Sequence, residues 1–241
     1  MLPLQHPLPQ FSLPLVSGHA PWSSLDDLLR SADLPERPLL VMLICAHCPF
    51  VKHVEPEITR VEADFADQIT LLAISSNSLE THPQDGRDGL RHQADQQGWR
   101  FPYLLDEQQT LAKDLRGACT PEFYAFAPDA DGTQTLRYRG QLDASRPGND
   151  QPLNGTDLRA ALTNILAGTP VSETQLPSVG CNIKWNPGQE PPWFGQSTGL
   201  PRSSASLNPT PCAPKRRPAS WSCWTRSCLT SWTECKNGWK R

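Results

Sequence analysis

The stretch Leu39-Leu40-Val41-Met42-Leu43-Ile44-Cys45-Ala46-His47-Cys48-Pro49-Phe50 decides how this chain is read. Its first six residues, after Pro38, form an unbroken apolar run, which suits a strand buried on both faces. Beyond Cys48, Val51, Val54, Ile58, Val61 and Phe65 fall at steps of three and four and draw one helical stripe. Pro49 stands in the first turn, where a missing N–H costs nothing. Pro56 stands mid-helix, where it removes an internal hydrogen bond and predicts a kink. Two cysteines therefore sit at a strand-to-helix junction.

Working outward, Ile69–Ile74 is a second buried strand. Phe11–Gly18 alternates and then turns at Gly18, as a short edge hairpin does. Ser24 and Asp27 resemble an N-cap and a first-turn acid, and predict a short helix around Leu25–Arg30. Asp85–Gly98 reads as a polar surface helix. A short extended piece ends at Leu104, and Glu107–Arg116 is a helix stopped by Gly117. Glu122–Ala127 and Thr135–Arg139 flank the turn signal Asp129-Ala130-Asp131-Gly132. Thr156–Leu166 closes the domain as a helix ended by Gly168. A β-α-β unit followed by β-β-α predicts an α/β fold, a mixed sheet with helices on both faces.

The chain has 241 residues, 37% of them hydrophobic and 20% charged, with net charge −3. That average hides a break. Residues 196–241 hold eight Lys/Arg and one acid, whereas residues 1–195 hold fourteen and twenty-four. Such asymmetry marks a tail. From Gln196 the tail carries five prolines, eight serines, four tryptophans and four cysteines without a steady apolar period. The expectation is one domain over residues 1–190 and a basic tail over 191–241, disordered or translated out of the natural frame. No run approaches the ~18–20 apolar residues of a membrane span, and the start lacks a basic n-region with an apolar core. The expected compartment is the cytosol, where cysteine pairs are more often catalytic or metal-binding than structural.

The chemistry follows from position. A helix start offers unpaired N–H groups and the positive end of its dipole, so a thiolate is favoured there. A second cysteine one turn along can attack the mixed disulfide that the first forms, which is dithiol–disulfide exchange. A protonated His47 would stabilise a thiolate further, and Lys52 and His53 add positive charge. Two alternatives stay open. Zinc normally wants a second C-x-x-C or a paired histidine motif, and residues 1–195 contain no second C-x-x-C. Free cysteines also pack as small apolar groups.

With Phe11-Ser12-Leu13-Pro14, Cys119-Thr120-Pro121, Tyr138–Asp143, Asp143–Gly148 and Ser178–Trp185, the C-x-x-C segment resembles the thioredoxin-fold proteins of the AhpC/TSA (peroxiredoxin-like) branch. The likeness is to a bacterial subgroup called simply thioredoxin family protein, and spans residues 1–190. The resemblance implies a thioredoxin fold with an N-terminal hairpin, and a loop ending in a cis proline, Thr120-Pro121, opposite the dithiol. Cys119 would lie nearby, and Pro121 would shape a substrate groove.

Family comparison divides the two cysteines. In thioredoxins the first attacks, implying Cys45 as nucleophile and Cys48 as resolver. In peroxiredoxins the peroxide-cleaving cysteine precedes proline and follows a Thr or Ser three residues earlier; Cys48-Pro49 matches, but Cys45 occupies the hydroxyl position. Val41 stands where those enzymes carry a further proline. Arg146 is the candidate for the arginine they need, although Pro147-Gly148-Asn149 is ordinary turn chemistry. Cys181 either resolves an intermediate or is a bystander, and His19, His82 and His92 read as solvated.

The expected activity is thiol–disulfide oxidoreduction by Cys45, Cys48 and His47. It needs no organic cofactor or metal. Its partners are protein or small-molecule thiols and disulfides, with thioredoxin, a reductase or a thiol such as glutathione as electron source. Nucleic acid and membrane are not expected partners. The alternatives are a thiol peroxidase acting on peroxides through Cys48, and a redox-sensing or thiol-binding module without turnover.

Overall fold

A computed structural model describes residues 2–22 and 27–194. The chain divides into two units, Met1–Gln196 and Ser197–Arg241. The second unit, and with it the expected tail beyond residue 194, lies outside the described residues.

The elements run β1 (Ser12–Ser17), β2 (Leu28–Arg30), β3 (Leu39–Leu43), α1 (Pro49–Phe65), β4 (Thr70–Ser75), α2 (Arg87–Gln97), β5 (Tyr103–Leu105), α3 (Thr110–Asp114), β6 (Cys119–Thr120), β7 (Glu122–Pro128), β8 (Gln134–Gly140), α4 (Thr156–Leu166) and β9 (Cys181–Asn182). Seven strands form a mixed sheet in the order β2-β1-β5-β4-β3-β7-β8. Strand β3 lies parallel to β4 and antiparallel to β7. A β-α-β unit and a β-β-α unit therefore share one sheet.

The strand period of two sorts side chains between two cores. Leu40, Met42 and Ile44 join Leu71 and Ala73 on the face covered by α1, α2 and α4. Leu39, Val41 and Leu43 join Leu72 and Ile74 on the face covered by α3, Leu2, Phe11, Ile183 and Trp185. The stripe on α1 buries Val51, Val54, Ile58 and Val61. Each such side chain contributes about 1.5–3 kcal/mol over its exposed state. Helix α1 continues through Pro56 over its 17 residues.

Four local expectations change. Residues Leu28–Arg30 are a strand rather than a helix, because their backbone pairs with Ser12–Pro14 and Leu29 is fully buried; Ser24 to Asp26 lie outside the described residues. Strand β1 is consequently internal, between β2 and β5, and β2 takes the edge. Helix α3 is shorter than Glu107–Arg116, because Asp106 accepts the amides of Thr110 and Ala112 and so starts the helix late. Helix α2 buries Leu90, Gln93 and Ala94 and is a surface helix on one side only. The small β6–β9 pair had no counterpart in the sequence reading. Among the described residues, no helix is long and apolar enough to cross a membrane.

Candidate active site

Strand β3 carries the chain to Cys45, and Cys48, in extended conformation, is the N-cap of α1 with Pro49 as its first residue. The Cys48 sulfur thus sits at the positive end of a 17-residue helix. Both cysteines are free and have 0% exposure.

The loop between them is held by Asp85, which precedes α2. One carboxylate oxygen accepts the amides of Ala46 (2.9 Å) and His47 (3.1 Å). The other accepts from Asn77 Nδ2 (2.8 Å) and lies 2.6 Å from His47 Nδ1. A carboxylate oxygen only accepts, so His47 carries its proton on Nδ1. Gln93 Nε2 donates to the Cys45 carbonyl at 3.2 Å and to Glu55 at 2.7 Å. Asp85 and Gln93 entered the sequence analysis only as part of a surface helix, and Asn77 not at all.

Opposite the dithiol stands Thr120. Its hydroxyl is 3.5 Å from the Cys45 sulfur, and its carbonyl is 3.3 Å from the Cys48 sulfur. The Thr120–Pro121 peptide is cis. Strand β9 pairs with β6 so that Cys181 faces Thr120. The approach is close: a Cβ on Gly180 would come within 2.1 Å of the Thr120 oxygen, so only glycine fits there. This pairing brings Cys181 opposite Thr120, whose carbonyl lies 3.3 Å from the Cys48 sulfur, and Cys181 packs against the core cluster that holds Cys45 and Cys48. Cys119 is buried behind Thr120.

These contacts separate the thiols electrically. Hydrogen bonds from Cys181 and then Cys45 hold the Cys48 thiol well below its ordinary range, outweighing burial. Cys45 is pushed up by that same bond to Cys48, then by burial and by the Asp85 charge. Cys181 is raised by its bond to Cys48 and by burial, and Cys119 is raised by burial, then by Glu122. Cys45, the expected thiolate, stands beside the Asp85 carboxylate, whose charge disfavours its ionised form.

The remaining candidates divide. His47 Nδ1 is 3.7 Å from the Cys45 sulfur, but its proton points to Asp85. Lys52 pairs with Glu55 at 2.9 Å, and His53 Nε2 lies 2.7 Å from Ser145 Oγ, so neither charge is directed at a sulfur. Arg146 donates to the carbonyls of Asp143 and Ser145 and to Gln141 Oε1, stapling its own loop. His82 is half-buried rather than solvated, its ring 4.6 Å from that of His47. A groove beside the site is lined by Phe50, Pro121, Phe123, Leu142, Arg146 and Val179. Cys45 Sγ, His47 Nδ1 and an Asp85 oxygen lie within 4.8 Å of one another, a ligand set that a borderline cation could use.

Comparisons with known proteins agree with this architecture. An uncharacterized conserved protein from Geobacillus kaustophilus is 42% identical, with a TM-score of 0.70 over 78% of this chain and 94% of its own. A hypothetical protein from Sinorhizobium meliloti 1021 is 34% identical, also at 0.70, over 78% of this chain and 97% of its own. A thioredoxin-like protein solved in its oxidized form shares the fold, at 19% identity and a TM-score of 0.51 over 70% of this chain and 99% of its own. No curated protein matches the chain. The AhpC/TSA family model matches residues 4–140, more than half the chain, and together with the sulfur cluster supports a thiol-based redox function. The chain belongs to the AhpC/TSA family.

Proposed function

We propose that the protein is a thiol–disulfide oxidoreductase in which Cys48 attacks and Cys45 resolves. The observation that carries this reading is that both buried sulfurs lie against Thr120 at the head of α1. The Cys48 thiolate attacks a disulfide and forms a mixed disulfide. Cys45 then attacks the Cys48 sulfur, releases the second thiol and closes the Cys45–Cys48 disulfide. An external thiol donor returns the two electrons, so the cycle needs neither an organic cofactor nor a metal. Asp85 holds the loop that sets the spacing of the two sulfurs, and Pro121 and Phe50 line the small groove beside them.

A peroxidase is the second reading, favoured by a low-pKa Cys48 followed by Pro49. Against it stands Arg146, whose donors are engaged within its own loop. Insulin disulfide reduction and peroxide consumption, measured for wild type, Cys45→Ser and Cys48→Ser, separate the two. The oxidoreductase reading expects insulin reduction that both substitutions abolish, with Cys48 left in a disulfide that Cys45→Ser does not resolve. Fast peroxide turnover that survives Cys45→Ser, without insulin reduction, would overturn it.

A further inference from the structure

Cys45 and Cys48 have no exposed surface, yet the exchange proposed above requires a sulfur that a partner can reach. Among the four described cysteines only Cys181 is not buried. It is fixed rather than adrift. The β9 backbone pairs with Cys119–Thr120, Gly180 packs on the Thr120 carbonyl, and Ile183 and Trp185 are anchored in the core beneath α3. Ser178 Oγ donates to the Gly140 carbonyl on one side, and Asn77 accepts the Lys184 amide on the other. The segment delivers a partly exposed sulfur to the buried one.

We propose that Cys181 is a third redox cysteine, the port through which external disulfides and thiols exchange with the buried pair by way of a Cys48–Cys181 disulfide. The inference rests on the oxidoreductase reading. In the first step the Cys181 sulfur bonds to one sulfur of an external disulfide RS–SR, whose S–S bond breaks. The Cys181 proton goes to the departing sulfur, and RSH leaves. In the second step the Cys48 thiolate attacks the Cys181 sulfur, and RS⁻ leaves. In the third step Cys45 attacks Cys48 and its proton goes to the departing Cys181. The substrate is reduced by two electrons to RSH and RS⁻, the Cys45–Cys48 dithiol is oxidised by two, and Cys181 returns as a thiol. The reverse sequence, driven by an external thiol, reduces the centre.

The test uses the full chain with Cys212, Cys223, Cys228 and Cys235 replaced by serine, and oxidised glutathione as the probe. In the Cys45→Ser variant of that chain, peptide mapping under non-reducing conditions should find Cys48 joined to Cys181. Glutathione retained on Cys48, with Cys181 a free thiol, would overturn the proposal. In Cys181→Ser and Cys181→Ala, the rate at which oxidised glutathione forms the Cys45–Cys48 disulfide should fall at least about tenfold, with unchanged thermal midpoints. Unchanged rates would overturn the port while leaving the dithiol standing. Failure of the parent chain to form the Cys45–Cys48 disulfide would instead remove the oxidoreductase reading itself.

Discussion

His47 directs its Nδ1 proton to Asp85, 2.6 Å away, and the same carboxylate holds the amides of Ala46 and His47. The histidine of the C-x-x-C is thereby tied to a buried acid rather than committed to a sulfur. Asp85 has no exposed surface, and three donors besides the His47 ring depend on it.

Replacing Asp85 tests that dependence. Asp85→Ala leaves buried amides without an acceptor and should cost about 3–5 kcal/mol in urea denaturation. Asp85→Asn keeps one acceptor oxygen and should cost less. Because the Asp85 charge pushes the Cys45 thiol up, Asp85→Asn should also lower the Cys45 pKa. Thiolate absorbance in a Cys48→Ser background reads this directly, and an unmoved titration would refute the electrostatic role.

The contrast between Asp85 and Cys48 shows what was legible in the sequence. Cys48 announced itself through its neighbours: an apolar run before it, a proline after it, and a helical stripe beyond. Each is a local signal, and each is sufficient to place the sulfur at a helix start. Asp85 and Gln93 reach the loop from 38 and 48 positions along the chain from His47 and Cys45. Their own surroundings are polar and read as surface helix, because burial of an acid depends on donors that other segments supply. Cys181 stayed undecided between resolver and bystander for a related reason. A lone cysteine in a loop has no spacing partner, and only the two-residue pairing with Cys119–Thr120 brings it to the site. Leu28–Arg30 failed differently: a cap-like Ser24 and Asp27 suggested a helix, and pairing with β1 overrode that local preference.

That short pairing makes Gly180 a sensitive position. An alanine methyl there would meet the Thr120 oxygen at 2.1 Å, and its neighbours at that point are backbone atoms that cannot turn away. Gly180→Ala should destabilise the fold by about 1–3 kcal/mol and move Cys181 away from Cys48. Thermal denaturation reads the first effect. Faster alkylation of Cys181 by iodoacetamide, resolved by peptide mass spectrometry, reads the second. A variant matching wild type in both would show that the β6–β9 contact does not constrain the sulfur.

The depressed Cys48 thiol carries a stability signature whose sign can be worked out. In the unfolded chain the group titrates near its ordinary value of 9.0, and in the folded reduced protein it ionises at lower pH. The folded state therefore binds fewer protons between those two values, and stability rises with pH across that window. The contribution is complete above about 9.0 and is lost as pH falls toward the folded value. Cys45 and Cys181 shift upward, so below 9.0 they are protonated in both states and leave the slope unchanged. Cys48→Ser lacks the ionisation altogether. The stability of the reduced wild type relative to reduced Cys48→Ser should then increase steadily from mildly acidic to mildly alkaline pH, measured by urea denaturation under a strong reductant. A difference independent of pH would place Cys48 as an ordinary thiol, and with it would go the assignment of Cys48 as the attacking group.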